Sequence, residues 1–374
     1  MLTVERTLTA VEARDVAAAH ALASERGRRL PSEVVEALVA AGFARRLVPA
    51  RWGGAAGSFA GLAEAVATVG EGCASAAWCA SVYAIAGRIG AHLPLEGQAE
   101  LWADGPDTVI ASGIVPSPGA RVEQDAEGWL LTGEWPFTSG VHGSAWVIVG
   151  ALVADAAGGR EFRFFAVPRE RFAIRPTWAN VGLGGTGSDT VVLEGVRVPE
   201  HLTFRYDSLL AGEPVGSTAP AHLAPYKLVN GLTFVAPVLG AARGALRHWT
   251  GWIGAKHDVT GRPTRERAAV QTALTRAASE VDLAGLLVRR AAEAADTGPY
   301  SAEVLARSPR DFAVAADLLA AAAERLLRGG GARAQVEDNP VQRAWRDVYA
   351  AAGHVVLQFD AAAAAYAEYA FAAV

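Results

Sequence analysis

Gly182-Leu183-Gly184-Gly185-Thr186-Gly187 is the phrase on which the reading of the fold turns. It satisfies GxGxxG. In a dinucleotide-binding unit such a phrase leaves a strand and opens a helix, so that the pyrophosphate meets the helix N-terminus. Here the glycines run into residues 191–198, whose β-branched side chains predict a strand. The phrase reads as a tight glycine-rich connection, and no Rossmann unit is expected around it. Upstream, residues 108–115, 121–124, 129–132, 145–153 and 162–168 are similar short runs, and Asp125-Ala126-Glu127-Gly128 is a turn between two of them. Six strands at this spacing predict a small antiparallel barrel or sandwich.

The flanks carry a different period. Up to about Asp104 the chain is Ala-rich with apolar residues at helical spacing, which predicts a helix with Pro31 in its first turn that Gly42 stops, and further helices near residues 59–69 and 78–92. After a Gly-, Ser- and Pro-rich linker over residues 207–220, four long helical patterns follow: 228–252, 264–295, 309–328 and 340–374. Four such helices suffice for an antiparallel bundle. The expected class is α+β, with a helical domain over residues 1–106, a β domain over 107–206, a linker over 207–221 and a helical bundle over 222–374.

Composition narrows the function. The chain has 374 residues, with 34 Lys and Arg against 39 Asp and Glu, a net charge of −5. No basic face for nucleic acid is expected. At 51% hydrophobic and 20% charged, a large core is available. Cys73 and Cys79 are the two cysteines, too far apart for CxxC, which excludes a disulfide scaffold and fits a reducing cytoplasm. The first fifteen residues carry no apolar h-region, so no secretory signal is expected. The most apolar stretch, residues 228–242, contains Asn230, Thr233 and Pro237; it reads as a buried helix too short to span a bilayer. The eight histidines form no HxxxH or HxH pair, and no metal site is expected.

Residues 178–199, WANVGLGGTGSDTVVLEGVRVP, resemble the G-x-x-G-T-G-S … V-P segment of the acyl-CoA dehydrogenase superfamily. Residues 30–54, with LP … ALVAAGFARRLVPARWGG, are similar to its opening helix and loop. The resemblance covers nearly the whole chain. It implies that superfamily's fold: N-terminal helices, a central β domain and a C-terminal four-helix bundle, assembled as a homotetramer. Dehydrogenases of this kind need a carboxylate base, usually shortly after an Arg-Asp pair. Here residues 348–355, which follow Arg346-Asp347, contain no acid, and His354 stands roughly where the glutamate would; the alternative position falls near Asn230, again not an acid.

Two further motifs are similar to the flavin-dependent monooxygenase branch, which includes 4-hydroxyphenylacetate hydroxylase oxygenase components, seco-steroid hydroxylases and nitrososynthases. They are Gly133-Glu134-Trp135-Pro136-Phe137-Thr138-Ser139-Gly140 with Ala145-Trp146, and Pro340 to Asp347 with His354. The resemblance implies reduced FAD or FMN, FAD favoured, with O2 as co-substrate and a C4a-hydroperoxyflavin as oxygenating species. It implies that Ser139 steadies the flavin near N5 and that His354 moves protons, for which an imidazole with an ordinary pKa of about 6.5 is suited in both directions. Trp135, Thr138, Ser139, Thr186, Gly187 and Ser188 are expected around the flavin, and Trp78, His92 and Asn230 around the substrate. Asp347, Ala351, His354 and Gln358 share one helical stripe, with Arg343 and Asp347 at ion-pair spacing.

Two departures qualify this. Phenol hydroxylases of the branch carry a histidine on the helix after S-x-x-W; after Ser75-Ala76-Ala77-Trp78 this chain has Ile85, Ala86 and Gly87, with His92 further on. The superfamily's R-x-x-F-G segment corresponds to His257 to Arg262, which lacks it. The expected activity is a two-component monooxygenase acting on an aromatic or polycyclic metabolite, fed by a separate NAD(P)H flavin reductase. An amine N-hydroxylase, a desaturase and a non-catalytic ligand-binding homologue are the alternatives.

Overall fold

The hydroxyl of Thr9 accepts the Glu12 N–H while the Glu12 carboxylate accepts the Thr9 N–H, a capping box that starts the first helix. In the computed structural model, which describes residues 8–154 and 159–372, six helices come first. They are α1 (Ala10–Ala19), α2 (Ala21–Gly27), α3 (Ser32–Ala40), α4 (Phe59–Gly70), α5 (Ala74–Gly90) and α6 (Leu95–Leu101). Every residue of α5 is buried, as its apolar composition all round requires.

Eight strands follow: β1 (Ile110–Gly113), β2 (Arg121–Asp125), β3 (Gly128–Thr138), β4 (Trp146–Ala154), β5 (Arg160–Pro168), β6 (Ala173–Arg175), β7 (Asp189–Val198) and β8 (Thr203–Arg205). They form two four-stranded sheets, β1-β4-β5-β8 and β2-β3-β7-β6, rather than a closed barrel. All pairs are antiparallel except β1 with β4. The short edge strands β6 and β8 were not foreseen, because three residues carry no readable alternation. The glycine-rich phrase leads into β7, a strand, with no helix after it.

The remaining helices are α7 (Tyr206–Ala211), α8 (Pro220–Leu223), α9 (Tyr226–Val229), α10 (Leu232–Gly254), α11 (Ala268–Thr297), α12 (Ala302–Gly330), α13 (Pro340–Ala352) and α14 (Phe359–Ala372). The first third of the expected linker is thus helical, ending at Gly212 in the left-handed region. The last pattern is two helices with a short turn between them. Tyr226–Gly254 is long and apolar enough to cross a membrane, contrary to the sequence reading, but 83% of its apolar window is buried within the fold. One continuous core joins residues from all three regions. α10 lies so close to α4 that a Cβ on Gly240 would sit 2.1 Å from the Ala67 carbonyl oxygen.

Candidate active site

Thr138 pairs with Asp189 at the last rung between β3 and β7. Antiparallel pairing therefore sets the next residues outward, Ser139 and Ser188, opposite each other. Their hydroxyls are 2.8 Å apart. Ser188 Oγ is 2.7 Å from Thr186 Oγ1, which donates to the Leu183 carbonyl at 2.8 Å. On the other side the Trp78 indole N–H donates to Ser139 Oγ at 3.0 Å. α5 steadies both loops at further points: Tyr83 donates to the Gly140 carbonyl at 3.0 Å, and the Cys79 thiol lies 3.6 Å from the Thr186 carbonyl.

His354 does not continue α13. Its Nδ1 accepts the Val356 N–H at 3.3 Å, so it caps the turn Val355–Leu357 and the expected stripe through Gln358 is broken. The ring stacks on Phe234 with centroids 3.8 Å apart and meets Trp78 edge-on at 5.9 Å. Burial lowers its pKa to about 4. At neutral pH it is an uncharged imidazole, and with Nδ1 accepting, its proton sits on Nε2. A shuttle working in both directions near pH 6.5 is not what this environment provides.

The glycine-rich loop is held from below by α13. Asp347 accepts the Leu183 N–H at 2.6 Å, Arg346 donates to the Val181 carbonyl at 2.7 Å, and Arg346 pairs with Glu25. Burial pushes the Asp347 carboxyl up to about 6, against the lowering effects of the Leu183 N–H, Arg343 and Arg346. Asp347 spans to the loop, in place of the expected helix pair with Arg343. Asp189 braces the other edge: one oxygen accepts the N–H groups of Thr177 and Trp178 at 2.7 and 2.8 Å, the other meets His142 Nε2 at 2.6 Å. Burial raises the Asp189 pKa, but these hydrogen bonds outweigh it and hold the carboxyl below the usual range.

Trp178 is consequently tied at both ends, its indole N–H donating to the Leu183 carbonyl at 3.0 Å. Edge-on to it, at 6.2 Å, is Phe137. Phe137 is 70% exposed and has φ +60°, an unfavourable conformation for a bulky residue, imposed by the register shift between Trp135 and Thr138. Phe137, Trp178, Thr177, Ser188, Thr190 and Arg121 are among the residues that line a cleft of about 870 Å³.

The expected site residues thus divide. Ser139, Thr186, Ser188 and Trp78 form one hydrogen-bonded chain, with His354 against Trp78. Gly187 takes φ +55° and shapes the loop beside His142. Trp135 lies in the β core, its indole donating to the Gly150 carbonyl at 2.7 Å, and Thr138 is buried with its hydroxyl on the Trp135 carbonyl. Both support the cleft wall from behind. His92 is elsewhere: it stacks on Phe204, its Nδ1 lies 3.2 Å from the Glu213 carbonyl, and burial lowers its pKa to about 3. Asn230 occupies the joint between α9 and α10, one helical turn before Phe234. The sequence reading missed Trp178, Asp189, His142 and Phe234. Trp178 lay inside the quoted glycine-rich segment, where an indole N–H beside several carbonyls was the available signal.

A planar, partly apolar ring bearing N–H groups fits these residues. The cleft offers aromatic walls, and Ser139 and Ser188 each keep a free hydroxyl lone pair. Among the described residues no group of three or more His, Cys, Asp or Glu could hold a metal ion.

Residues 232–359 match the family described as acyl-CoA dehydrogenase, C-terminal domain. Over 344 residues the chain is 32% identical to the flavin-dependent monooxygenase oxygenase subunit HsaA of Mycobacterium tuberculosis, covering 89% of this chain and 87% of that protein. It is 32% identical over 359 residues to the oxygenase component of an FADH(2)-dependent resorcinol hydroxylase from a Rhizobium species, covering 90% and 87%. Its fold is similar to that of XiaF from a Streptomyces species, solved in complex with FADH2 and glycerol, with a TM-score of 0.88, 26% identity and coverage of 97% and 95%.

Proposed function

The chain belongs to the flavin-dependent monooxygenases built on the acyl-CoA dehydrogenase fold, and from that premise we propose that it is the oxygenase component of a two-component system that hydroxylates an aromatic or polycyclic small molecule. The observation that carries this reading is the meeting of the Ser139 and Ser188 hydroxyls with the Trp78 indole, against which His354 packs. Reduced FAD, with FMN as the alternative, is the proposed cofactor; when bound it supplies the electrons that activate O2. Ser139 and Ser188 would hold the ring by hydrogen bonds, Trp178 and Phe137 would wall it, and Thr186 and Gly187 would shape the loop beneath. Arg121, which also lines the cleft, would offer a cation to a phosphate.

His354 would hold a proton at Nε2 and present it to an oxygen atom of the substrate or co-substrate, while Trp78 and Phe234 exclude water. A desaturase would need a carboxylate where this imidazole stands. With no Rossmann unit among the described residues, a separate flavin reductase would supply the reduced cofactor, as the name of oxygenase component given to the Rhizobium relative suggests. A homotetramer, which the resemblance implies, is proposed as the assembly.

The test is stopped flow. Protein loaded with reduced FAD, and separately with reduced FMN, is mixed with oxygenated buffer while spectra are recorded. A long-lived oxygenated flavin that decays faster in Ser139→Ala is the expected result. Featureless reoxidation with both flavins, with candidate phenols present and absent, would refute the reading. Bleaching of bound oxidised flavin by acyl thioester without O2 would replace it with the desaturase.

A further inference from the structure

Residues 177–182, which carry Trp178 from β6 toward the glycine-rich turn, have no sheet ladder to hold them. Among the described residues, none of their backbone groups pairs with another backbone group. Side chains from elsewhere satisfy them instead. Asp189 Oδ1 accepts the Thr177 and Trp178 N–H groups at 2.7 and 2.8 Å, and Arg346 donates to the Val181 carbonyl at 2.7 Å. The Thr177 and Thr190 hydroxyls meet at 2.8 Å. Thr177 and Trp178 both line the cleft, so its wall at this point is only as fixed as the Asp189 carboxylate.

That carboxylate depends in turn on His142, whose Nε2 lies 2.6 Å from Asp189 Oδ2. Burial raises the Asp189 pKa, but its hydrogen bonds outweigh this and keep it ionised at neutral pH. An ionised carboxylate only accepts, so the proton of this contact is on His142 Nε2. With Oδ1 spent on two adjacent amides and Oδ2 on the imidazole, the carboxylate plane is fixed. Asp189 is buried, so an Oδ2 left without its donor would turn toward water and draw Oδ1 from the amides. The imidazole is itself rigidly mounted. It stands on the turn Val141–Gly143, where Val141 is buried and its carbonyl accepts the Ser144 hydroxyl at 2.9 Å. A Cβ on Gly187 would come 3.0 Å from His142 Cδ2, so the ring lies flush against the glycine-rich phrase.

We propose that His142, which is not among the residues lining the cleft, is a positioning residue that acts through Asp189 to fix Thr177 and Trp178 in the wall against the cofactor. The inference rests on the flavin reading of the cleft given above.

The experiment measures dissociation constants for anaerobically reduced FAD, and for reduced FMN, in wild type, His142→Ala, His142→Asn and His142→Gln. Each is made both with Trp178 present and in a Trp178→Leu background. Loss of the imidazole should weaken binding about tenfold, the low end for one hydrogen bond to a charged group. His142→Asn should match His142→Ala, because its amide reaches only as far as Nδ1 did. It keeps the test decisive if the alanine variant does not fold. His142→Gln puts an N–H where Nε2 stood and should restore most of the affinity, which a side chain that only fills space would not do. In Trp178→Leu the His142 substitutions should change affinity by less than about twofold, since the wall they disturb is already gone. Wild-type affinity in both His142→Ala and His142→Asn overturns the inference and leaves the monooxygenase reading intact. So does a glutamine variant as weak as the alanine one, or a full tenfold loss in Trp178→Leu. Failure of wild type to bind either reduced flavin removes both.

Discussion

Replacing Gly182 by alanine would place a methyl carbon 2.1 Å from the Arg346 carbonyl oxygen and 2.9 Å from Ala350 Cβ. A carbon and a carbonyl oxygen need about 3.3 Å, so the loop must retreat from α13 by roughly 1.2 Å. Carried along the bond, that retreat stretches the Leu183 N–Asp347 Oδ1 contact from its 2.6 Å to about 3.8 Å, past hydrogen bonding. Leaving a buried carboxylate without that partner costs about 1–3 kcal/mol, and overpacking alone about 1–3 kcal/mol; because the retreat relieves the overlap, about 2–4 kcal/mol in all is expected.

The loss should appear as a lower urea midpoint with an unchanged slope. It should also depend on pH. The Asp347 pKa is raised to about 6, so its contribution to stability is full below the ordinary carboxyl range and is lost as pH rises through 6. Removing the Leu183 N–H, which lowers that pKa, makes the loss with rising pH larger, so the variant should be further from wild type at pH 8 than at pH 5. Affinity for reduced FAD should fall as well, because the Trp178 indole and the Thr186 hydroxyl both hang on the Leu183 carbonyl. A variant within about 0.5 kcal/mol of wild type at pH 8, with unchanged flavin affinity, would refute the account of the loop.

Trp135→Phe should cost about 1–2 kcal/mol through its lost bond to Gly150 while leaving flavin affinity alone, whereas Trp178→Leu should do the reverse; titration and urea melts of the pair separate core from cleft. With the His354 pKa lowered to about 4, the kcat profile should carry no limb near pH 6.5 from this residue; such a limb in wild type that vanishes in His354→Gln would contradict the neutral imidazole. His92 is lowered to about 3, so its contribution is present above pH 6.5 and lost as pH falls toward 3. His92→Asn, which keeps a donor for the Glu213 carbonyl, should shrink the fall in urea midpoint between pH 7 and 5; an unaltered slope would show that His92 does not titrate differently on unfolding.

Most helices and strands were legible because their apolar residues recur at the period of the element that buries them, as in α4, α5, β4 and β5. The misses have physical causes. β3 was expected to stop at Thr132 because Gly133, Glu134 and Pro136 interrupt its alternation, yet it runs to Thr138, held by pairing with β7. The single helix expected over residues 340–374 divides because the His354 imidazole accepts the Val356 N–H and so caps a new turn, a competition that helical periodicity does not register. His92 lies two residues past the end of α5, which carries Trp78, and there it meets β8 and the segment after α7.

By itself the sequence determined which residues alternate and which recur at helical spacing, that the glycine-rich phrase opens a strand, and that no acid stands in residues 348–355 after Arg346-Asp347. These are local properties, carried by side-chain type and spacing. Only the tertiary structure decided that Ser139 and Ser188 flank one rung and share a proton chain with Thr186. The same holds for the bulge that turns Phe137 into the cleft while Trp135 stays in the core, and for Asp347 reaching across to the loop. Strand register, bulges and packing between distant segments are set by the joint burial of residues far apart in the chain, and a one-residue shift in any of them would send a different side chain to the site.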